Sequence, residues 1–287
     1  MKSQISLFLI IGIILLASVA VIYTANRNNS VNDLRDTSDI SLELASSQVK
    51  NIVEQCMAIA VEKGIFDKLA LHGGYIETDV NESYGIYESV EYFPFLREKV
   101  PYWYKNRTRR IPSVYDMEIS LGRYILAETE KCLNLSEFEK SGVKVSKPDY
   151  DYVRNKFNFG SSGISIRASM NYEDVTIDLH YPIALEYDSE IFTVDEYQVK
   201  LPINFLRDYE TGLLVLEDAL KEQPEWFDIG YNCTKYVNNG LTNIYYKNNR
   251  VIQVFDYETF YSKYKKTLRF QFSVEGINAI GFCPVYE

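Results

Sequence analysis

The stretch GISIRASMNYEDVTIDLHY, residues 163–181, alternates apolar and polar side chains on both sides of a short polar segment. The apolar positions are Ile164, Ile166, Ala168 and Met170 before residues 171–174, and Val175, Ile177, Leu179 and Tyr181 after them. A period of two places such side chains on one face of an extended chain. The pattern predicts an antiparallel β-hairpin with one buried face.

Three segments around this hairpin carry the apolar spacing of amphipathic helices. The first runs from residue 42 to about Gly64, the second opens at a capping box of Ser113 and Asp116, and the third covers residues 203–221. Their apolar positions are Leu42, Ala45, Val49, Ile52, Val53, Cys56, Ile59 and Ala60, then Leu121, Ile125 and Cys132, then Leu206, Tyr209, Leu213, Leu216 and Leu220. The second helix is expected to end near Leu135.

Further strands are predicted at 192–201, 243–248, 250–257 and 267–274, whereas residues 77–110 show no sustained period. Two helices, strands, a helix and more strands predict an α+β domain with a mainly antiparallel sheet and packed helices. We expect this domain to cover residues 41–287, after a transmembrane or signal-anchor helix at 1–24 and a polar juxtamembrane linker at 25–40.

The predicted membrane helix is the run ISLFLIIGIILLASVAVIY, residues 5–23, which carries no charge. Its length is sufficient to cross about 30 Å of hydrocarbon. Two fates follow from the residues alone. The helix is either retained as an anchor or removed as a secretory signal after Ser18-Val19-Ala20. In both cases the bulk of the chain lies outside the cytoplasm.

A third fate follows from a resemblance. Lys2-Ser3-Gln4-Ile5-Ser6, followed at once by the apolar run, resembles the class III signal peptide of archaeal type IV pilin-like proteins. There a basic and a small residue precede the cut, which implies cleavage between Ser3 and Gln4. Phe8 stands where many pilins have a glutamate that sets the register of subunits in the filament. The absence of this glutamate counts against filament assembly.

The layout is also similar to a loosely defined group of membrane-anchored surface proteins of small-genome archaea, for which no activity is known. The shared features are the Gln4-Ile5-Ser6 start, Cys56 and Cys132 on the two long helices, the Gly73-Gly74-Tyr75-Ile76 turn and Tyr181-Pro182 at a strand end. This resemblance supports the membrane topology and leaves the activity open.

Four cysteines, Cys56, Cys132, Cys233 and Cys283, allow three disulfide pairings. We predict Cys56 with Cys132, because a shared core would bring their helix faces together, and Cys233 with Cys283, because both lie late in the chain. The alternative is four buried thiols. No CxxC pair is present, so a thioredoxin-like or zinc-ribbon site is not indicated.

A contact surface is predicted where aromatic and arginine residues follow Pro101. Rings beside guanidinium groups stack on sugar faces and bind acidic groups. The residues are Tyr102, Trp103, Tyr104, Arg107, Arg109 and Arg110. The alternative is that the rings pack over the core and leave the arginines in solvent.

Composition restricts the function classes. The formal charge of −10 opposes binding to nucleic acid, and only two histidines, His72 and His180, disfavour histidine-based metal sites and Ser-His-Asp chemistry. The 24 tyrosines favour surfaces that contact glycans or proteins. We therefore predict no catalytic, cofactor-binding or metal-binding residues.

The sequence predicts a single-pass membrane-anchored extracellular protein with a structural or adhesive, pilin-like role. Its expected partners are the lipid bilayer and either further copies of itself, in a filament or oligomer, or surface glycans and proteins. One alternative is a membrane-tethered enzyme acting on cell-surface polymers, with Asp149 and Asp151 in a cleft. The other is a secreted domain released by signal peptidase.

Overall fold

The computed structural model describes residues 42–76, 89–92, 98–148, 163–221, 227–228, 239–246, 249–261, 266–276 and 279–280. The chain divides into two compact units, Met1–Ala45 and Ser46–Glu287. Several predictions fall outside the described residues: the anchor at 1–24, the linker at 25–40, Ser3, Gln4, Asp149, Asp151, Cys233 and Cys283.

The described α-helices are α1 (Leu42–Lys63), α2 (Val114–Cys132), α3 (Ser136–Lys140) and α4 (Phe205–Lys221). The three long ones confirm the predicted helices. α1 continues without a break into a π-helical turn, Gly64–Leu69. The capping box of α2 is also confirmed, because the Ser113 side chain accepts from the Asp116 backbone N–H at 3.1 Å and the Asp116 carboxylate accepts from the Ser113 N–H at 3.4 Å.

The buried face of α1 agrees with its predicted apolar stripe except at its margins. Ala45, Val49, Val53, Cys56 and Ala60 are buried, together with Met57 and Val61. Leu42 and Ile52 are half-buried, and Ile59 is exposed. The prediction for Ile59 was wrong because the stripe follows Met57, Ala60 and Val61, which leaves Ile59 at its flank.

The described strands are β1 (Ser89–Tyr92), β2 (Glu98–Lys105), β3 (Thr108–Arg109), β4 (Lys144–Ser146), β5 (Ser165–Met170), β6 (Val175–Tyr187), β7 (Glu190–Leu201), β8 (Phe227–Asp228), β9 (Asn239–Tyr246), β10 (Asn249–Tyr261), β11 (Lys266–Glu275) and β12 (Ala279–Ile280). They form a six-stranded sheet of order β1-β2-β11-β10-β9 with β3 on β2, a sheet centred on β6, and the parallel pair β8-β12. In the two larger sheets, only the pairing of β2 with β11 is parallel. The α+β class with mainly antiparallel sheets is thus confirmed.

The predicted hairpin forms the start of the sheet centred on β6. β5 and β6 are antiparallel, with Met170 opposite Val175. β7 pairs along the other edge of β6, and β4 pairs with Ala184–Glu186 beyond the end of β5. The expectation that Tyr181-Pro182 ends a strand was wrong. β6 runs on to Tyr187, and a register shift between His180 and Ile183 accommodates the proline, which lacks an N–H donor.

The large core of the six-stranded sheet is built around Trp103 of β2. Its ring stacks on Phe272 of β11 with centroids 4.1 Å apart and meets the edge of Tyr209 of α4 at 5.5 Å. Its Nε1 donates to the Gly73 carbonyl at 2.9 Å. Gly212 allows α4 to approach these rings, because a Cβ there would lie 3.0 Å from Phe272 and 3.3 Å from Trp103.

Two tyrosine hydroxyls fix the segment that leads into α2. Tyr209 donates to the Pro112 carbonyl at 2.7 Å, and Tyr75 donates to the Arg110 carbonyl at 3.2 Å. Burial, with smaller contributions from Tyr75, Glu210 and Asp116, raises the pKa of Tyr209 to about 12. The neutral phenol of Tyr209 is therefore the form that the folded state favours.

A disulfide joins α1 to the end of α2. Cys56 and Cys132 are bonded, with Cα atoms 5.7 Å apart and 76 positions apart in sequence, which confirms this half of the predicted pairing. No described cysteine is free. The bond holds two helices that are distant in sequence against each other.

We expect Trp103→Phe to lower the free energy of unfolding by about 3 kcal/mol. The smaller ring leaves space in the core, and the buried Gly73 carbonyl loses its donor. Urea unfolding of the full-length chain measures the change. The exposed aromatic Tyr115 gives the control Tyr115→Leu, expected to change stability by no more than about 0.5 kcal/mol. A loss below about 1 kcal/mol for Trp103→Phe would contradict the central role of this ring.

We expect unfolding stability to fall as pH rises from about 10 to about 12, because unfolded tyrosine ionises near pH 10 and folded Tyr209 only near 12. Below pH 10 the contribution of this group is complete. Tyr209→Phe should reduce the alkaline loss and should cost about 1 kcal/mol at pH 7 through the lost hydrogen bond. Urea unfolding at several pH values, with Tyr115→Phe as the control, tests this. If the free energy of unfolding falls with pH as steeply in Tyr209→Phe as in the wild type, the alkaline loss of stability belongs to other groups.

Removing the disulfide by Cys56→Ser with Cys132→Ser should cost about 2–4 kcal/mol, because a long loop of the unfolded chain is no longer closed. The measurement is unfolding of the double variant and of the wild type with and without reductant. The matched control is the double variant measured with reductant, which should equal the reduced wild type, because neither then holds the Cys56–Cys132 bond. Equal stability of oxidised and reduced wild type would show that the bond adds nothing to stability.

Candidate contact surface

The predicted contact residues lie on the hairpin formed by β2 and β3. Asn106 and Arg107 form its two-residue turn, both with positive φ, 51° and 61°. Such turns favour glycine at the second position, so Arg107 occupies a conformation that is costly for its side chain. The backbone N–H of Asn106 donates to the Glu275 carboxylate at 3.2 Å and fixes the turn against the end of β11. We call residues 105–109 the basic hairpin.

Two of the predicted contact residues are in the core instead. Trp103 is fully buried and Tyr102 is buried beside it, so neither belongs to a contact surface. Tyr102 and Trp103 are adjacent in β2 and point to opposite faces of the sheet, so the burial of both shows that both faces are covered at this point. Tyr104 and Arg110 are half-buried, whereas Arg107 and Arg109 are exposed. Tyr102, Trp103, Arg107 and Arg109 thus follow the alternative, in which the rings pack inside and the arginines face solvent, whereas Tyr104 and Arg110 are intermediate.

The exposed face of α4 continues the surface from the basic hairpin. Arg109 lies 3.9 Å from Glu217 in an exposed ion pair, which contributes little to stability. One turn earlier, Leu214 is 52% exposed. One further turn earlier, Glu210 accepts from the Tyr172 hydroxyl at 2.8 Å on each oxygen, and this hydrogen bond raises the pKa of Tyr172.

A second surface lies at the tip of the hairpin formed by β6 and β7, which we call the acidic hairpin, residues 186–192. Its turn residues Asp188 and Ser189 have positive φ, 46° and 70°. Carboxylates at Glu186, Asp188 and Glu190 accompany three exposed apolar side chains: Tyr187 at 37%, Phe192 at 44% and Ile191 at 69%. The sequence analysis did not identify this surface. The signal was Ile191-Phe192, consecutive apolar residues that cannot both face the core of a two-faced strand.

The titratable groups in the interior tie elements together. Asp256 of β10 is fully buried and accepts from the Arg207 guanidinium of α4 at 3.0 Å. His72 Nδ1 lies 2.9 Å from the Lys68 carbonyl, and His180 lies in β6 opposite Glu196. At the β5–β6 turn, hydrogen bonds from Asn171 and Lys200 lower the pKa of Asp174.

Two findings concern the described residues alone. No three His, Cys, Asp or Glu side chains in that part of the chain are grouped to hold a metal ion. None of the helices described there combines the length and the apolar character that a membrane span requires.

Comparison of the chain with protein-family models, with curated proteins and with solved structures gives no match.

Proposed function

We propose that the chain is a single-pass membrane-anchored protein of the cell surface, with its bulk outside the cytoplasm and a structural or adhesive, pilin-like role. The observation that carries the proposal is the Cys56–Cys132 disulfide. Disulfides persist in oxidising environments and are rare in the cytosol of most organisms. The uncharged run at residues 5–23 supplies the anchor in this proposal.

A contact role is supported by how the exposed residues are distributed. The basic hairpin and the acidic hairpin each place charged side chains in or next to a two-residue turn between strands. The acidic hairpin adds apolar side chains that remain in water unless a partner covers them. Such surfaces suit a protein that functions by binding others.

The N-terminal residue of the mature protein tests the anchoring. We expect mass spectrometry of the chain purified from its native membrane to find either an intact N-terminus or Gln4 as the first residue. Alkylation before reduction should leave Cys56 and Cys132 unmodified. A mature chain beginning at Val21 would identify a released secreted domain instead, and free thiols at both cysteines would contradict the location outside the cytoplasm.

Electron microscopy of surface preparations from the cells that produce this protein tests the structural role. We expect fibres that disappear when the chain is deleted and return when it is re-expressed. An anchored protein without fibres would exclude the filament and leave the adhesive role.

A further inference from the structure

We propose that copies of this chain associate head to tail, with the acidic hairpin of one copy seated on the basic hairpin and the neighbouring face of α4 of the next. This inference rests on the structural role proposed above and deepens it. It names the partner as a second copy and assigns the two surfaces that meet.

The acidic hairpin has the composition of a docking element. Glu190 lies opposite Tyr187, and Phe192 lies opposite Leu185, so these four side chains share one face of the hairpin. Leu185 is fully buried, whereas Tyr187 and Phe192 at the tip are partly exposed on the same face. Ile191, on the other face, is 69% exposed. Tyr187 and Phe192 thus expose apolar surface on one face of the tip and Ile191 on the other, and association around the tip would remove this surface from water.

The basic hairpin and α4 present the complement. Arg107 is exposed at the turn, and Arg109 is exposed at the start of β3. Leu214 of α4 is exposed beside the Glu217 that Arg109 approaches, so this surface also combines cations with an apolar side chain. Arg107 and Arg109 are opposite in charge to Asp188 and Glu190, while Glu186 is already paired with Lys144 at 2.7 Å. Leu214 has Glu210 and Glu217 as neighbours on α4, and the Glu275 carboxylate accepts from the Asn106 N–H at the turn. These carboxylates weaken the positive potential locally, so the attraction is assigned to Arg107 and Arg109 themselves.

The two surfaces belong to different ends of the unit Ser46–Glu287. Arg109 contacts α4 at Glu217, and the same helix contacts Tyr172 through Glu210. Tyr172 lies in the turn just before β6, while the acidic hairpin lies at the far end of this 13-residue strand. A strand of that length spans roughly 40 Å. At that separation the acidic hairpin does not reach the basic hairpin of the same copy.

Complementary surfaces at different places on one molecule allow a heterologous contact, which repeats from copy to copy. A twofold axis through one hairpin would place acidic against acidic, or basic against basic, and like charges oppose both arrangements. A closed antiparallel pair, in which the acidic hairpin of each copy meets the basic hairpin of the other, would stop at two copies, so association that ends at a dimer in sedimentation would contradict the repeating contact. The net charge of −10 repels copies in general, so attraction requires a local cationic surface, and the basic hairpin provides one. The contact is expected to weaken as salt screens these exposed charges.

Cross-linking tests the two surfaces directly. Two differently tagged full-length chains, one with Arg107→Cys and one with Ile191→Cys, are mixed in detergent and treated with a short bis-maleimide. We expect the yield of the 107–191 cross-link, between the two variants, to exceed the yield of the 107–107 or 191–191 cross-link at least tenfold. The control pairs Ile191→Cys with Glu137→Cys, an exposed residue of α3, and should give background only. A 107–191 yield equal to this control would overturn the proposal, as would a dominant 191–191 product.

Charge reversal tests the attraction. We expect Arg107→Glu with Arg109→Glu, and separately Glu186→Lys with Glu190→Lys, each to lower association of the full-length chain at least tenfold in sedimentation experiments. A mixture of the two variants should restore it. The matched control exchanges the exposed ion pair of α3, Glu137→Lys with Lys140→Glu, and should associate as the wild type does. Unrestored association in the mixture would overturn the pairing.

Two outcomes separate this inference from the proposed function. Native fibres that persist in both charge-reversed variants would overturn these surfaces while the filament role stands, whereas a mature chain beginning at Val21 would overturn the role itself. Binding of a sulfated polysaccharide to a wild-type chain that stays monomeric, lost in Arg107→Glu with Arg109→Glu, would assign the basic hairpin to a glycan and contradict self-association. Thermal unfolding of each variant checks that it is folded.

Discussion

The hydrogen bond from the Trp103 indole to the Gly73 carbonyl is the constraint on which the larger sheet depends. It is buried and joins β2 to the turn that follows α1. Gly73 meets two requirements at once: its φ of +56° disfavours any side chain, and a Cβ there would lie 3.1 Å from both the Gln271 carbonyl and Trp103 Nε1. The turn can therefore approach the sheet closely enough for its carbonyl to be satisfied.

Gln271 completes this arrangement from the neighbouring strand. Its backbone N–H donates to the Ala70 carbonyl and its side chain donates to the Leu71 carbonyl, each at 2.9 Å, while its Oε1 accepts from Gln253 of β10. The groups left over at the end of a helix must find partners when they are buried. Here Gln271 provides two donors, its side chain is held in place by Gln253, and these bonds fix the register of the helical segment against β11.

The sequence predicted those elements whose burial is one-sided. β5 and β6 alternate because one face is covered, and α1, α2 and α4 show a single apolar stripe for the same reason. β2 was missed because Tyr102 and Trp103 are both buried, and a strand covered on both faces has no period to detect. Pro182 led to the opposite error. It predicted the end of a strand, whereas a register shift accommodates it inside β6. Such compensation depends on neighbouring strands, which a local pattern does not specify.

The candidate site, like the fold, was predictable only in part, namely where residue type alone determines exposure. Arg107 and Arg109 follow a turn and carry charges that are costly to bury, so their exposure was predictable from residue type. The exposure of Ile191 and Phe192 was not, because it depends on where neighbouring strands stop. Among the described residues, β5 reaches only to His180 of β6 and β4 only to Glu186. β4 still pairs with the β6 residues opposite Ile191 and Phe192, but among the described strands β7 pairs with β6 alone. Ile191 and Phe192 therefore lie on an edge strand next to a turn, and apolar residues that would be core in the middle of the sheet become surface there.

In the proposed anchored protein, any force between the membrane and a bound partner would enter the unit Ser46–Glu287 through α1. Within this unit α1 is tied to α2 by a covalent bond at Cys56, and the turn after it is tied to β2 and β11 by buried hydrogen bonds. α2 packs on β5, whose hairpin partner β6 leads to the acidic hairpin, and β2 leads directly to the basic one. The basic hairpin is thus reached from α1 through one element, β2, and the acidic hairpin through three, α2, β5 and β6. Rigid placement of this kind reduces the entropy lost on binding, which favours a role in assembly over that of a flexible tether.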